Sequence, residues 1–249
     1  MIVHFGERPF DAGWIAFDKD GTLLAFEVMW GRLAQAWIER LAGESGQEIL
    51  RQELYHSLGY DAGKQRTRPQ SPLAIATTAE IQTILAVTLY RQGRPWPDAL
   101  EATRLAFRAG EELPLADLVQ PAGDVVGLFT QLRDAGVQVA VVTTDSRADT
   151  EESLRLLGVE YLVDQLVCGD DGLPSKPAPD MLLAASEGLG QDLARCAVVG
   201  DTLGDLLMAE RAGAGLKVGV RTGAGDPALL AEHADVVLDS IDGIQVVGR

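Results

Sequence analysis

The chain is short of cysteine, of basic residues and of long apolar runs, and each shortage argues against a class of function. Its only cysteines, Cys168 and Cys196, have neither the spacing of a zinc site nor the density of a disulfide scaffold. Cys196 opens an apolar segment and reads as a small buried residue, so a reducing cytoplasm is the expected compartment. Twenty-one Lys and Arg face 37 Asp and Glu, a formal net charge of −16. That balance argues against nucleic-acid binding and against an anionic membrane surface, both of which need a basic face. An anionic substrate would need a site that carries its own cations. No uninterrupted apolar run of roughly 18 residues is present, so no membrane-crossing helix is expected. Residues 1–8 lack a basic region followed by an apolar stretch and are not expected to be a signal peptide. His4, His56 and His233 have no triad-like setting, and no Walker-type loop, internal repeat or low-complexity tract occurs.

What is there is an ordinary globular composition, 47% apolar and 23% charged, in 249 residues. That length suits one large domain or two unequal ones, with a sizeable core. The most informative stretch is Phe17-Asp18-Lys19-Asp20-Gly21-Thr22-Leu23-Leu24, directly after the apolar segment Trp14-Ile15-Ala16-Phe17. The apolar segment reads as a short buried strand. In extended chain, positions i and i+2 share a face, so Asp18 and Asp20 are expected to look into one site. Two such carboxylates repel each other unless a cation or a reacting group joins them. The pattern suits a metal-assisted nucleophile with an acid/base partner, the chemistry of phosphoryl transfer. Asp and Gly are also common turn residues, so the motif needs support from elsewhere.

From about residue 120 onward, apolar strands alternate with helical segments. Strands are expected at 137–143, 197–200, 216–220 and 236–238, with a helix near 124–135 and another opened by a capping box at Asp149–Glu152. This alternation predicts an α/β fold with a doubly wound parallel sheet, whose ligands bind beyond the carboxyl ends of the strands. Residues 27–116 differ. They have few β-branched runs, and Ile81, Ile84, Leu85 and Leu89 fall at helical spacing within 77–91. Further helices are expected at 30–41 and 98–110. We therefore expect an α/β core from 1–26 and 117–249, with a helical domain inserted at 27–116.

Three more signals lie at strand ends. Val141-Val142-Thr143-Thr144-Asp145 offers two hydroxyls and backbone N–H groups to phosphate oxygens, although Thr also commonly ends strands. Lys176 stands before Pro177, an expected helix start, where a point charge would reinforce an anion site. Taken alone, Lys176 reads as a solvated surface lysine, and only the rest of the pattern argues otherwise. In Val198-Val199-Gly200-Asp201-Thr202-Leu203-Gly204-Asp205 a strand delivers Asp201 and a helix carries Asp205 in its first turn. Asp205 would also serve there as a helix cap. Oxygen ligands of this kind suit Mg²⁺ rather than zinc. The G-x-G-x-x-A match at 223–228 lies late in the chain and holds Pro227 where a dinucleotide helix should begin, so it is discounted. Lys64, Arg66 and Arg68 form a small basic loop that reads as solvated or as a contact for an anionic substrate.

In order, D-x-D-G-T at 18–22, Thr143 after its apolar run, Lys176 in K-P-x-P-D and G-D-T-x-x-D at 200–205 resemble the haloacid dehalogenase-like hydrolase superfamily. Within it, the chain is similar to phosphatases with a helical cap, such as phosphoglycolate phosphatases. The resemblance implies that Asp18 attacks phosphorus to form an aspartyl-phosphate, and that Asp20 protonates the leaving alcohol and then activates water. It implies a phosphate-binding set of Gly21, Thr143, Thr144 and Lys176. Mg²⁺ would be held by Asp18, the Asp20 carbonyl and Asp201, with Asp205 orienting or assisting. Dehalogenases and phosphonate-cleaving relatives resemble this pattern but lack the second aspartate, so Asp20 favours phosphate esters. Thr144-Asp145 stands where phosphoglycolate phosphatases often have Asn, which leaves the substrate open.

The expected function is a Mg²⁺-dependent phosphatase acting on a small phosphorylated metabolite in the cytoplasm, with no nucleic-acid or membrane partner. Closure of the cap would exclude water, with Trp30, Arg32 and the 64–68 loop as candidate contacts. The alternatives are a phosphosugar mutase of the same superfamily and a non-catalytic phosphate-binding module. The helical insertion argues against the second. Oligomeric state stays open.

Overall fold

Trp14–Phe17, Gln138–Val142, Cys196–Gly200 and Leu216–Val220 are buried along nearly their whole length in the computed structural model, which describes residues 1–43 and 47–246. Apolar runs without polar alternation form strands covered on both faces. The chain begins with strands β1 (Ile2–Phe5), β2 (Arg8–Asp11) and β3 (Trp14–Phe17). A π-helical turn at Glu27–Gly31 leads into α1 (Arg32–Ala42), α2 (Glu48–Leu58), the short strands β4 (Tyr60–Asp61) and β5 (Arg66–Thr67), α3 (Pro72–Ile75), α4 (Thr78–Arg91), α5 (Trp96–Glu111) and α6 (Leu115–Leu118). The remainder alternates: α7 (Val125–Asp134), β6 (Gln138–Val142), α8 (Arg147–Leu156), β7 (Gln165–Val167), α9 (Asp180–Leu189) and β8 (Cys196–Gly200). It closes with α10 (Leu203–Ala212), β9 (Leu216–Val220), α11 (Pro227–His233), β10 (Val236–Leu238) and β11 (Ile244–Val246). Two compact units result, Met1–Phe26 with Val119–Arg249, and Glu27–Leu118.

The first unit is built on a six-stranded parallel sheet in the order β10-β9-β8-β3-β6-β7. Connections run outward from β3 to β6 and β7, then return to β8, β9 and β10 on the other side. Strand order therefore reverses beside β3, the position at which such sheets bind ligands beyond the carboxyl ends of their strands. In register, Phe17 lies beside Val141 and Val199, so Asp18, Thr143 and Asp201 all follow strands that end together. Alternation along the strands divides the core. Ile15, Phe17, Val139, Val141 and Val199 pack with Leu128, Phe129 and Leu132 of α7, while Trp14, Ala16, Ala140, Val142 and Val198 pack with Met181 of α9 and Met208 of α10.

Three local features differ from the sequence reading. The first is the strand set, which includes β1, β2 and β11 in a separate antiparallel sheet ordered β11-β1-β2. These strands bury Val3, Phe5 and Ile244 in the same cluster as Ile15. The second is α8, which is capped by Ser146 rather than by a box at Asp149–Glu152. The extended Ser146 accepts from the Asp149 N–H, so Asp149 already lies in the first turn. The third is α9, which starts at Asp180, beyond Lys176. Ala178 N–H donates to the Ser175 carbonyl at 3.0 Å and makes a tight turn first.

The helical unit has its own core, in which Trp37, Ile38, Leu54, Leu58, Ile81, Leu85 and Phe107 are buried together. Trp37 stacks on Phe107 with ring centroids 4.1 Å apart. Its α4 has the expected start, a capping box between Thr77 and Glu80. Among the described residues, no helix is long and apolar enough to cross a membrane. In the first unit, Phe129 is fully buried with its ring centroid 5.1 Å from that of Phe17. Phe129→Ala is expected to lower stability by about 3–5 kcal/mol, read as a lower urea midpoint with an unchanged slope.

Candidate active site

The ladder of β3 continues one residue past the strand, because Asp18 N–H donates to the Val199 carbonyl at 2.9 Å. That bond fixes Asp18 at the carboxyl end of the sheet. The chain then turns back sharply. The Lys19 carbonyl accepts from the N–H groups of Leu23 and Leu24, and the Gly21 N–H donates to the Leu24 carbonyl at 2.8 Å. Gly21 has φ +88°, which suits glycine, and a Cβ there would stand 2.6 Å from Asp201 Oδ2.

Asp205 has two roles at once. Its Oδ2 accepts from the Thr202 N–H at 3.1 Å and the Thr202 hydroxyl at 2.6 Å, closing the box that starts α10. Its Oδ1 accepts from the Lys176 ammonium at 2.6 Å. Lys176 also donates to Asp18 Oδ1 at 2.6 Å. The lysine is therefore no surface residue; it is buried between one carboxylate that follows β3 and another in the first turn of α10.

Asp201 completes the group. Oxygens of Asp18, Asp201 and Asp205 all lie within 4.8 Å of one another. Asp201 Oδ2 accepts from the Ala224 N–H at 3.0 Å, but Oδ1 is buried with no hydrogen-bond partner among the described residues. A buried carboxylate oxygen without a donor is costly, and it marks a place for a cation. Three carboxylates beside one ammonium show the same deficit. Burial pushes the Asp18 carboxyl up to about 7, against the pull of Lys176 and with the charges of Asp205 and Asp20 adding to the rise. Asp201 is raised by burial and then by Asp18 and Asp205. Burial pulls the Lys176 ammonium down, but Asp18 and Asp205 outweigh it and the net shift is upward. Hard oxygen donors in this state fit a divalent cation.

The other expected residues are arranged around this centre. Thr143 is buried, its N–H donating to the Val167 carbonyl and its hydroxyl accepting from the Asp145 N–H at 3.2 Å. Pairing with β7 thus occupies N–H groups that the sequence reading left open, while Thr144 is exposed. The Asp20 carboxylate is not one of the three clustered carboxylates; its Oδ1 accepts from the Lys19 ammonium at 2.8 Å. The turn after Phe17 gives Asp18 and Asp20 different lysine partners. Trp30 packs edge-on against Trp37, Arg32 donates to the Asp117 carbonyl, and Arg68 donates to the His56 carbonyl, all within the helical unit.

Sequence reasoning missed two contributors. Lys19 is fully buried, with Asp145 Oδ2 at 2.9 Å as a second partner. Burial depresses its ammonium, but Asp20 and Asp145 more than offset that. The other is the loop after β9. The Thr222 hydroxyl donates to the Gly21 carbonyl at 2.6 Å, Ala224 holds Asp201, and a Cβ at Gly223 would stand 1.9 Å from Asp201 Oδ2. The discounted glycine pattern at 223–228 is thus a cradle for a carboxylate. A glycine pair directly after a strand was its only signal.

The chain is similar to known proteins in sequence and in fold. The profile of the haloacid dehalogenase-like hydrolase family matches residues 13–213. A phosphoglycolate phosphatase of Neisseria meningitidis is 40% identical over 120 residues, 47% of this chain. The chain spans about half the length of the Neisseria phosphatases it matches, 50% in N. meningitidis and 54% in N. gonorrhoeae. The validoxylamine A 7'-phosphate phosphatase of Streptomyces hygroscopicus subsp. limoneus is 28% identical over 229 residues, 92% of this chain and 94% of that protein. A Haemophilus somnus structure described as a predicted phosphoglycolate phosphatase superposes with a TM-score of 0.70 at 17% identity, covering 92% of this chain and 95% of its own, which speaks to the fold.

Gly223→Ala is expected to displace the Asp201 carboxylate and weaken divalent-cation binding by about 10–100-fold, the usual cost of losing an outer support of a metal ligand. Calorimetric titration with Mg²⁺ or Mn²⁺ checks this, with the unfolding temperature in chelator as the control for fold.

Proposed function

The chain belongs to the haloacid dehalogenase-like hydrolase family, and we propose that it is a Mg²⁺-dependent phosphatase that hydrolyses a small phosphate monoester through an aspartyl-phosphate on Asp18. The observation that carries this reading is the buried Lys176 ammonium, 2.6 Å from both Asp18 and Asp205, beside an Asp201 oxygen with no donor. Asp18, the Asp20 carbonyl and Asp201 would hold the metal, with Asp205 orienting or assisting. When bound, Mg²⁺ supplies positive charge that offsets these carboxylates and the phosphoryl oxygens.

The chain's own residues divide the chemistry. Asp18 uses a carboxylate oxygen to attack phosphorus, and the ester P–O bond breaks with its electron pair on the leaving oxygen. Asp20 gives that oxygen a proton, a step worth about 10²–10⁴-fold. The Asp20 carboxylate then takes a proton from water as the water oxygen attacks phosphorus, which releases Asp18 and phosphate. Lys176 steadies Asp18 and offsets charge on the transferring group. Thr143 accepts from the Asp145 N–H, so the proton of its own hydroxyl is what it offers to a phosphoryl oxygen. The Gly21 N–H is already engaged with Leu24, and we assign Gly21 to shaping the turn beneath the phosphoryl group. The exposed Thr144 hydroxyl stands at the rim.

The substrate class rests on the relatives. Those named above act, by their names, on phosphoglycolate and on validoxylamine A 7'-phosphate. A small phosphorylated metabolite is accordingly proposed, with phosphoglycolate first in any screen. A reducing cytoplasm is the proposed setting, because Cys168 and Cys196 are both free and buried and burial raises the Cys168 thiol to about 11.

Phosphate release from p-nitrophenyl phosphate is expected to require Mg²⁺ and to fall at least about 10³-fold in Asp18→Asn, some 4 kcal/mol of barrier. A variant with near-normal rates would remove Asp18 as nucleophile. Isomerisation of a sugar phosphate with a bisphosphate primer, and no phosphate release, would instead identify a mutase.

A further inference from the structure

Lys19 is a charged residue of the 18–22 motif that the proposed reaction leaves without a task. Its side chain is fully buried, where an apolar residue would fill the space without the cost of desolvating a charge. The ammonium is offset by two carboxylates, Asp20 Oδ1 at 2.8 Å and Asp145 Oδ2 at 2.9 Å. Asp145 is itself tied down on three sides. Its Oδ1 accepts from the Ser146 N–H at 2.8 Å, its own N–H donates to the Thr143 hydroxyl at 3.2 Å, and its carbonyl accepts from the Gly169 N–H at 2.8 Å. The lysine therefore joins the carboxyl that handles the proton to the turn that carries Thr143, across the gap between β3 and β6.

We infer that Lys19 is a positioning residue of the reaction: anchored by Asp145, it holds the Asp20 carboxyl through Oδ1 and so sets the direction in which Asp20 meets the leaving oxygen. Sharing the ammonium with Asp145 keeps Asp20 from facing a full uncompensated positive charge. The inference rests on the phosphatase reading given above. Its consequence depends on the leaving group. An alkoxide leaves only as it is protonated, so an alkyl ester needs a well-aimed Asp20. A nitrophenolate leaves without a proton and does not.

The test is Lys19→Met in the full chain, with kcat and KM measured for p-nitrophenyl phosphate and for an alkyl ester such as phosphoglycolate. On the alkyl ester kcat/KM is expected to fall about 10²-fold, and on the aryl ester less than about tenfold. Because Asp20 also activates water, kcat for the aryl ester is expected to fall together with its KM, with a burst near one nitrophenolate per chain. Added to Asp20→Asn, Lys19→Met should cost little more, since both remove the same delivery of a proton. Equal losses of kcat/KM on the two esters, or losses that add to those of Asp20→Asn, would overturn the inference and leave Lys19 as packing. Should Lys19→Met not fold, the paired Lys19→Met/Asp145→Asn variant removes the cation with its second carboxylate and carries the same comparison. Wild-type protein that releases phosphate from neither ester would overturn the phosphatase reading itself, and the inference with it.

Discussion

Charge held away from water at the carboxyl ends of β3 and β8 is the constraint around which the α/β unit is organised. Lys176 sits between Asp18 and Asp205 with contacts of 2.6 Å to each, and no part of that contact is local in sequence. A buried ion pair is weak as a source of stability and strong as a source of position, since removing one partner leaves an uncompensated charge. The parallel sheet supplies the frame. Buried on both faces, β3 and β8 end in register, and the reversal of strand order beside β3 leaves room above them.

The same constraint explains the backbone around the site. Asp201 is enclosed closely enough that side chains at Gly21 or Gly223 would occupy the space of its carboxylate. One of its oxygens is satisfied by Ala224 and the other by no group among the described residues. A carboxylate held this tightly with one oxygen unpaired is preorganised for a cation, and the upward shifts of Asp18 and Asp201 have the same origin. The electrostatic deficit and the orphaned atom are two measures of one demand for positive charge.

A second ion network lies alongside. Lys19, Asp20 and Asp145 link the turn after β3 to the turn after β6. The first network holds Asp18 and Asp205 and the second holds Asp20 and Asp145, each with its own buried lysine. An acidic chain with 16 more negative than positive charges places two of its scarce lysines here. The helical segment enters between these parts of the sequence. Within the α/β unit, the stretches of chain before and after that insertion are paired, by Ala25 N–H to the Gln120 carbonyl and Ala122 N–H to the Leu23 carbonyl.

Much of this is legible from residue order. Apolar runs at 14–17, 197–200 and 216–220 suffice for buried parallel strands, and Thr77 with Glu80 marks a helix start, because periodicity and capping depend on neighbours a few residues away. The spacing of Asp18, Lys176, Asp201 and Asp205 points to one phosphate-type site, because parallel strands all bring their carboxyl-terminal residues to the same edge of the sheet. Spacing does not reach the partners. Strands β1, β2 and β11 are three or four residues long and pair the two ends of the chain, too short for a periodic signal. Whether Lys176 lies on the surface or between two carboxylates, whether Lys19 is solvated or buried, and whether 223–225 binds a ligand or cradles Asp201 were decided only when distant segments met. Burial and charge pairing are properties of the assembled chain, and no local pattern encodes them.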